Sequence, residues 1–219
     1  MNRRLEAIAS MAGAGMITAD IGTDHAFLPI MLVRNGKVPK AYACDLRSAP
    51  LEGAARNIEK AGLSRQISVI RSDGFEAVPS DTQCAILAGM GCETAIGIYE
   101  RAAQRLSSLS LLITEVNNNV PQFRKWLSDH AFTILDEACV FEAGHWYEII
   151  SWNTAEHEPY SEEDLLLGPV NRIRNTESFQ KYCTARYGKD QKLLKLRGHD
   201  AELEKEIQIL QKYTKEIFI

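Results

Sequence analysis

No run in the 219-residue chain approaches the ~18 consecutive apolar residues that a membrane span needs. The first residues carry two arginines but no long apolar segment, so no signal peptide is read there, and a cytoplasmic, non-membrane protein is expected. Cysteine is sparse. The five residues, at 44, 84, 92, 139 and 183, are odd in number and never form a C-x-x-C pair. That pattern argues against a disulfide framework or a zinc site, and for reduced, buried thiols. His130, His145, His157 and His199 show no metal-ligand spacing, so no metal is expected. Large excess charge is lacking too: net charge is −4, with 45% hydrophobic and 25% charged residues, ordinary for a globular chain able to bury a core.

The charge is unevenly placed. Residues 170–219 hold 11 Lys+Arg against 7 Asp+Glu, so the acidic excess lies in the body. A basic tail on an acidic body suggests either an anionic partner or a solvated helical face.

Up to about residue 155, strand and helix patterns alternate. Strands are expected at 16–21, 41–45, 67–71, 84–88 and 109–114. Helices are expected at 2–12, 27–35, 50–61 (capped by Ser48), 93–106 and 120–130. Residues 132–141 and 146–152 then read as two strands around a Gly144 turn with no helix between them. Alternation implies parallel strands with right-handed crossovers. The terminal hairpin makes the sheet seven-stranded and mostly parallel, the arrangement of a Rossmann-like class I methyltransferase fold. Residues 159–169 look like a linker with a short helix. Beyond them, two helices broken at Gly198 make a helical hairpin, giving an expected division into 1–155 and 156–219.

Chemistry is expected at the strand ends, where ligands bind in open α/β sheets. Asp20 ends the first strand and Gly22 makes the sharp turn after it. Asp45 ends the second, placed to receive ribose hydroxyls. Asp73-Gly74 follows the third, where a carboxylate can accept an adenine amine. Gly89-Met90-Gly91 follows the fourth. The set points to a nucleoside-containing cofactor. The first loop lacks G-x-G-x-x-G, no P-loop lysine is present, and Asp24 stands where a pyrophosphate would have to come close. A carboxylate suits the cationic sulfonium of S-adenosylmethionine and would repel a dinucleotide's phosphates.

Four stretches carry a family resemblance: IGTDHAFLP, SDGFEAV, AILAGMGCE and LLITEVNNNVPQFRKWL. They resemble the bacterial tRNA (adenine-N1) methyltransferases that modify adenine 22, whose corresponding stretches read like IGSDHAYLP, GDGLEVI, AGMGG, and LQPN followed by an R-x-W-L helix. The resemblance runs from about residue 3 to 152 and continues more faintly through Leu167-Gly168-Pro169 and the tail. It implies cofactor contacts at Asp20, Gly22, Asp45, Asp73 and Gly89, joined by Ile21, His25, Leu46, Gly74 and Met90. Asp24 and Asn117 fall on candidate catalytic positions. Asp24 is expected to accept the target's N6 hydrogen bond and stabilise the positive charge growing on the ring. His25 is either a loop orienter or target contact, or a histidine packed on the following helix. Asn117 is either a base contact or an asparagine suited to a turn.

Expected tRNA contacts are His25, Glu115, Arg172, Arg174, Lys189 and Lys192, from a tail that also carries Lys181, Arg186, Lys195, Arg197, Tyr182 and Tyr187. Trp126 and Trp146 are expected in the core. Glu115-Val116 stands where the family has Gln-Pro, and Cys92 where it has a second glycine. A methyltransferase acting on another RNA base or a small molecule, and a non-catalytic RNA-binding module on an old cofactor fold, are the competing readings. Monomer and homodimer both stay open.

Overall fold

A computed structural model describes residues 2–214. Strands β1 (Thr18–Ile21), β2 (Ala41–Asp45), β3 (Ile67–Arg71), β4 (Cys84–Met90), β5 (Leu111–Val116), β6 (Phe132–Glu142) and β7 (His145–Glu156) form one sheet, in the order β3-β2-β1-β4-β5-β7-β6. β1 to β5 pair in parallel, and β7 lies antiparallel between β5 and β6. This is the Rossmann-like class I arrangement that the alternation implied.

Helices α1 (Arg3–Met11), α2 (Phe27–Arg34) and α3 (Ser48–Lys60) cover one face. Ile8, Leu28, Leu32 and Ile58 bury there against Ile86 and Ile113. Helices α4 (Cys92–Arg101), α5 (Ala103–Leu106) and α6 (Val120–Asp129) cover the other. There Tyr99, Phe123, Trp126 and Trp152 form an aromatic cluster. Burying aromatic heads requires polar partners. Thr114 supplies two of them, meeting Tyr99 Oη at 2.6 Å and accepting from Trp152 Nε1 at 2.9 Å, whereas Trp126 Nε1 is buried with no hydrogen-bond partner among the described residues.

Five expectations shift. β1 starts at Thr18 rather than Met16, and β5 runs two residues later than expected, so Glu115 lies within the strand. A bulge between Ala88 and Met90 keeps β4 paired with β5 and lengthens it to Met90. Ser48 is the first helical residue, not the cap; Arg47 holds the cap position without a side-chain bond. The helix expected over 93–106 breaks at Ala102.

The expected linker holds one short helix, α7 (Glu162–Leu167); a further short helix, α8 (Pro169–Arg174), starts at its last residue, before α9 (Glu177–Arg197) and α10 (Ala201–Gln211). Gly198 ends α9 at φ +80°, where a glycine is favoured. The expected continuation to Ile219 lies partly outside the described residues. Cys139 on β6 packs with Leu166, Leu167, Phe179, Cys183 and Leu210, so the C-terminal helices share an apolar core with the sheet's edge.

A buried ion cluster joins the same elements. Arg124 on α6 is wholly covered. Its Nε donates to Glu137 Oε1 on β6 at 2.8 Å, and its Nη2 to Glu148 Oε2 on β7 at 2.6 Å. Glu137 Oε2 also accepts from the Val170 and Asn171 N–H groups at 2.9 and 3.3 Å, and Glu148 Oε1 from Tyr182 Oη at 2.6 Å. Gly168 is required beside this cluster. A Cβ there would lie 2.3 Å from the Glu137 carboxylate oxygens, and its φ is +90°.

Removing one partner of a buried ion cluster leaves the others uncompensated, at a cost of about 3–5 kcal/mol. Arg124→Leu should therefore lower stability by about that much, read as an earlier denaturant midpoint. A midpoint equal to the native protein's would show that the cluster contributes nothing.

Candidate active site

The parallel register brings the expected residues to one edge. Asp20 pairs with Ala43 and Ile86, Asp45 with Arg71, and Ala88 with Glu115, so the carboxyl ends of β1, β2, β3, β4 and β5 share a rim. Asp20, Ile21 and Asp45 are buried in it, and Leu46 is exposed beyond it.

Gly22 turns the chain at φ +81°. Its N–H and that of Thr23 both donate to Cys44 O at 2.8 Å. A Cβ on Gly22 would stand 2.1 Å from Met90 Cε, so backbone and Met90 close on each other only because the side chain is missing. Asp45 Oδ1 accepts from Arg47 N and Nε at 2.8 and 3.3 Å. After β3, Gly74 has φ +55°, and Asp73 Oδ1 accepts from Arg101 at 3.2 Å. A cavity of about 410 Å³ adjoins Asp73, walled by Phe75, Ile98 and Arg101. Gly89 sits in the β4 bulge at φ +83°.

Asn117 clamps two of these loops. Its N–H donates to Met90 O at 2.8 Å and its Nδ2 to Gly89 O at 2.7 Å, which leaves its Oδ1 for a ligand or a turn. Asn118 Oδ1 accepts from Cys92 N at 2.9 Å and closes the start of α4.

Asp24 projects from the rim with 74% of its side chain exposed, 3.4 Å from His25 Nε2. The His25 ring leans on Phe27 at 5.4 Å and covers Gly53 on α3, where a Cβ would come within 3.0 Å of Nδ1. His25 therefore packs on a helix, as one reading had it, but that helix is α3 as well as α2, and its free edge faces Asp24.

Glu115 is fully covered by Arg4 of α1, which donates to its Oε2 at 3.2 Å and lies over the Tyr147 ring at 5.1 Å. Its Oε1 has no hydrogen-bond partner among the described residues. Burial pushes its carboxyl upward, against the pull of Arg4. A substrate can touch Glu115 only if Arg4 leaves. Local sequence gave no signal for Arg4: it sits on a short N-terminal helix, and only the packing of α1 over β7 brings it to the rim.

The tail residues divide. Arg172 is held by Glu163 and Asp164 at 2.7 and 2.6 Å and by Tyr213 Oη at 2.8 Å, and Arg174 pairs with Asp136. Both brace the fold. Arg186, Lys181 and Arg197 also pair internally. Lys189, Lys192 and Lys195 are exposed, and among the described residues no ion pair holds them. The basic surface is thus narrower than the composition implied. Trp126 is buried as expected, whereas Trp146 is half-buried and lines a cavity.

The rim fits a cationic nucleoside donor. Asp20 is pushed up to about 6, chiefly by burial and also by the nearby Asp45 carboxylate, with Arg4 opposing. Thr23 Oγ1 is buried without a hydrogen-bond partner among the described residues. A bound cation restores what burial takes from the ionised Asp20. Among the described residues no cluster of three metal-ligating side chains occurs, and no helix is long and apolar enough to cross a membrane. All five cysteines are free and buried.

Fold and rim together define a Rossmann-like methyltransferase. A family model described as "Methyltransferase domain" matches residues 1–150. The tRNA (adenine(22)-N(1))-methyltransferase of Bacillus subtilis is 34% identical over 151 residues, covering 68% of this chain and 63% of that protein. A crystal structure of Streptococcus pneumoniae Sp1610, titled a putative tRNA (m1A22) methyltransferase in complex with S-adenosyl-L-methionine, superposes with a TM-score of 0.89 at 31% identity, over 98% of this chain and 100% of that one. M. capricolum TrmK, in complex with S-adenosyl-homocysteine, gives 0.83 at 30% identity, over 97% of each chain. The chain belongs to the TrmK family of tRNA (m1A22) methyltransferases.

The raised Asp20 pKa has a defined consequence. The folded protein without donor holds this proton more tightly than the unfolded chain, so Asp20 costs stability as pH rises from about 4 to about 6. Asp20→Asn should remove that slope, making the donor-free variant more stable than the native protein at pH 7 and equal to it near pH 4. Donor affinity should rise with pH through about 6 in the native protein and stay flat in the variant. Melting and titration calorimetry across pH 4–8 check both, and parallel pH profiles would contradict them.

Proposed function

We propose that this chain transfers the methyl group of S-adenosylmethionine to N1 of adenine 22 in tRNA, and that it works in the cytoplasm. The observation that carries the reading is the shared rim, where buried Asp20 and Asp45, Asp73 and the Gly22 and Gly89 turns converge beneath an exposed Asp24. Residues 1–155 hold the donor and residues 156–219 help to hold the tRNA. The Bacillus subtilis relative and the structural neighbours of the same family carry this activity in their names.

Bound S-adenosylmethionine supplies an electrophilic methyl on a cationic sulfur, which departs with the C–S bonding pair as a neutral thioether. Asp20, Asp45 and Asp73 hold that group through its cationic end, ribose and adenine amine, and Ile21, Leu46, Gly74 and Met90 form the walls. Adenine N1 is a neutral lone pair at pH 7 and needs no base. The new N–C bond leaves a positive charge on the ring, and Asp24 stabilises it by accepting a hydrogen bond from N6. Being exposed, Asp24 reaches the base only once tRNA covers the rim, and coverage then strengthens its field. His25 Nε2 orients that carboxylate. Asn117 Oδ1 positions the base in line with the methyl. Glu115 acts beneath them through Arg4, fixing the β4–β5 loops without touching tRNA. Lys189 and Lys192 meet the phosphate backbone, giving affinity and salt dependence. The adenine must leave its stack to reach the rim.

Methyl transfer from labelled donor to tRNA, followed by mass analysis of the nucleosides, tests the reading and is expected to give 1-methyladenosine. Asp24→Ala should lower turnover by about a hundredfold while donor affinity stays within about threefold, less than one factor of ten in binding. Normal turnover in that variant would remove Asp24 from the chemistry.

A further inference from the structure

A cavity of about 830 Å³ opens on the same rim, between the start of α6, the β6–β7 turn and the middle of α9. Its place follows from the topology. Asn119 and Val120 line it directly after the Asn117 loop, and His145 and Trp146 line it where β7 begins. Asp20, Asp45, Asp73 and Gly89 do not line it, so it is separate from the donor site.

Its walls differ in chemistry. Trp146 is half-buried, its ring 5.1 Å from Phe141 and 5.7 Å from Tyr182. Glu148 also lines the cavity, but its oxygens are taken by Arg124 and Tyr182. Asp190 is buried and ion-paired through its Oδ2 with Arg186 Nε at 3.6 Å, and Arg186, on the same wall, also pairs with Glu206 at 2.9 Å. Lys189 is exposed on the same wall, free of ion pairs among the described residues.

The acidic side chains of this wall are internally paired, which leaves the Trp146 ring and the exposed Lys189 as its unpaired features. An exposed lysine attracts a phosphate that stays outside the cavity. The volume falls within the range of about 300–1,000 Å³ found for pockets that enclose small molecules. Base stacking on an aromatic side chain works for any base, so such a site takes an unstacked base without choosing its identity. We infer that this cavity takes a second unstacked nucleobase of the tRNA, close to the target adenine, with Trp146 as its platform and Lys189 meeting its phosphate. The inference rests on the proposed tRNA substrate and adds a second point of grip to it.

Ala185 lines the cavity from an exposed position on α9, so Ala185→Leu narrows the space with little change to the fold. Its tRNA dissociation constant should rise about tenfold, equivalent to about 1.4 kcal/mol, with donor affinity and melting temperature unchanged. Abasic substitutions walked through the unpaired nucleotides near the target complete the cycle. One position should weaken binding to the native protein about tenfold and cost the variant little more. The inference is overturned if Ala185→Leu binds tRNA as the native protein does, or if every abasic position costs both proteins alike. If this cycle holds but the nucleoside product is not 1-methyladenosine, the second-base site stands and the proposed reaction fails.

Discussion

Arg124, enclosed between Glu137 and Glu148, is the interaction on which the arrangement of this molecule depends. It ties α6 to both strands of the terminal hairpin. Through the far oxygens of those carboxylates it also reaches the first turn of α8 and Tyr182 on α9. A buried ion cluster is a poor source of net stability, because desolvating the charges cancels most of their attraction. Its directionality is another matter. An apolar contact tolerates sliding, whereas a guanidinium fork with two carboxylates does not. The C-terminal helices are thereby set at one angle to the rim, as the proposed grip on a folded RNA requires. Gly168 belongs to the same constraint, since a side chain there would collide with the carboxylate that α8 closes on.

The rim and the tail solve opposite electrostatic problems. Asp20, Asp24, Asp45 and Asp73 make the donor crevice anionic, which favours a cationic donor and disfavours a polyanion. A tRNA strand approaching that edge is repelled by it unless cations nearby hold its backbone. Composition placed those cations throughout the tail. The structure assigns most of them to internal pairs and leaves Lys189, Lys192 and Lys195 on α9 exposed. Attraction is therefore displaced sideways from the reacting centre. On the proposed function, this draws the base over the acidic edge while its phosphates remain outside.

How much of this could be read from the sequence follows from the range of the interactions. The parallel strands and their crossover helices came from local alternation, and the placing of Asp20, Gly22, Asp45 and Gly89 at strand ends was legible because turns there use few residue types. What failed was long-range. Arg124 lies in a helix that reads as ordinary and amphipathic, and nothing nearby in the chain discloses that its partners come from β6 and β7. Arg174 carried the right charge for RNA, yet its carboxylate, Asp136, lies on β6; the partners of Arg172 are nearer in the chain, on α7, and meet it only because the chain folds back at Gly168. The β5 boundary moved by two residues because pairing with β4 and β7, not local preference, ends that strand. Arg4 was missed for the same reason: its partner is 111 residues away in the chain.

The Glu115-Val116 pair, which departs from the family's Gln-Pro, illustrates how a loop can keep its shape by different means. A proline fixes one dihedral of its own residue and removes a donor. Here Val116 stays in the sheet, paired across the bulge with Met90. The next residue is then fixed by two hydrogen bonds from Asn117, one from its backbone and one from its side chain, to the neighbouring loop. Underneath, Glu115 is pinned by Arg4, itself seated on the Tyr147 ring, so α1 and β7 both buttress the turn. A carboxylate at this place without Arg4 would be an unpaired buried charge, a costly arrangement. The guanidinium makes the acidic substitution tolerable and also closes the floor of the crevice. The same end, a rigid Asn117 at the rim, is reached through electrostatics and strand pairing rather than through a ring in the backbone.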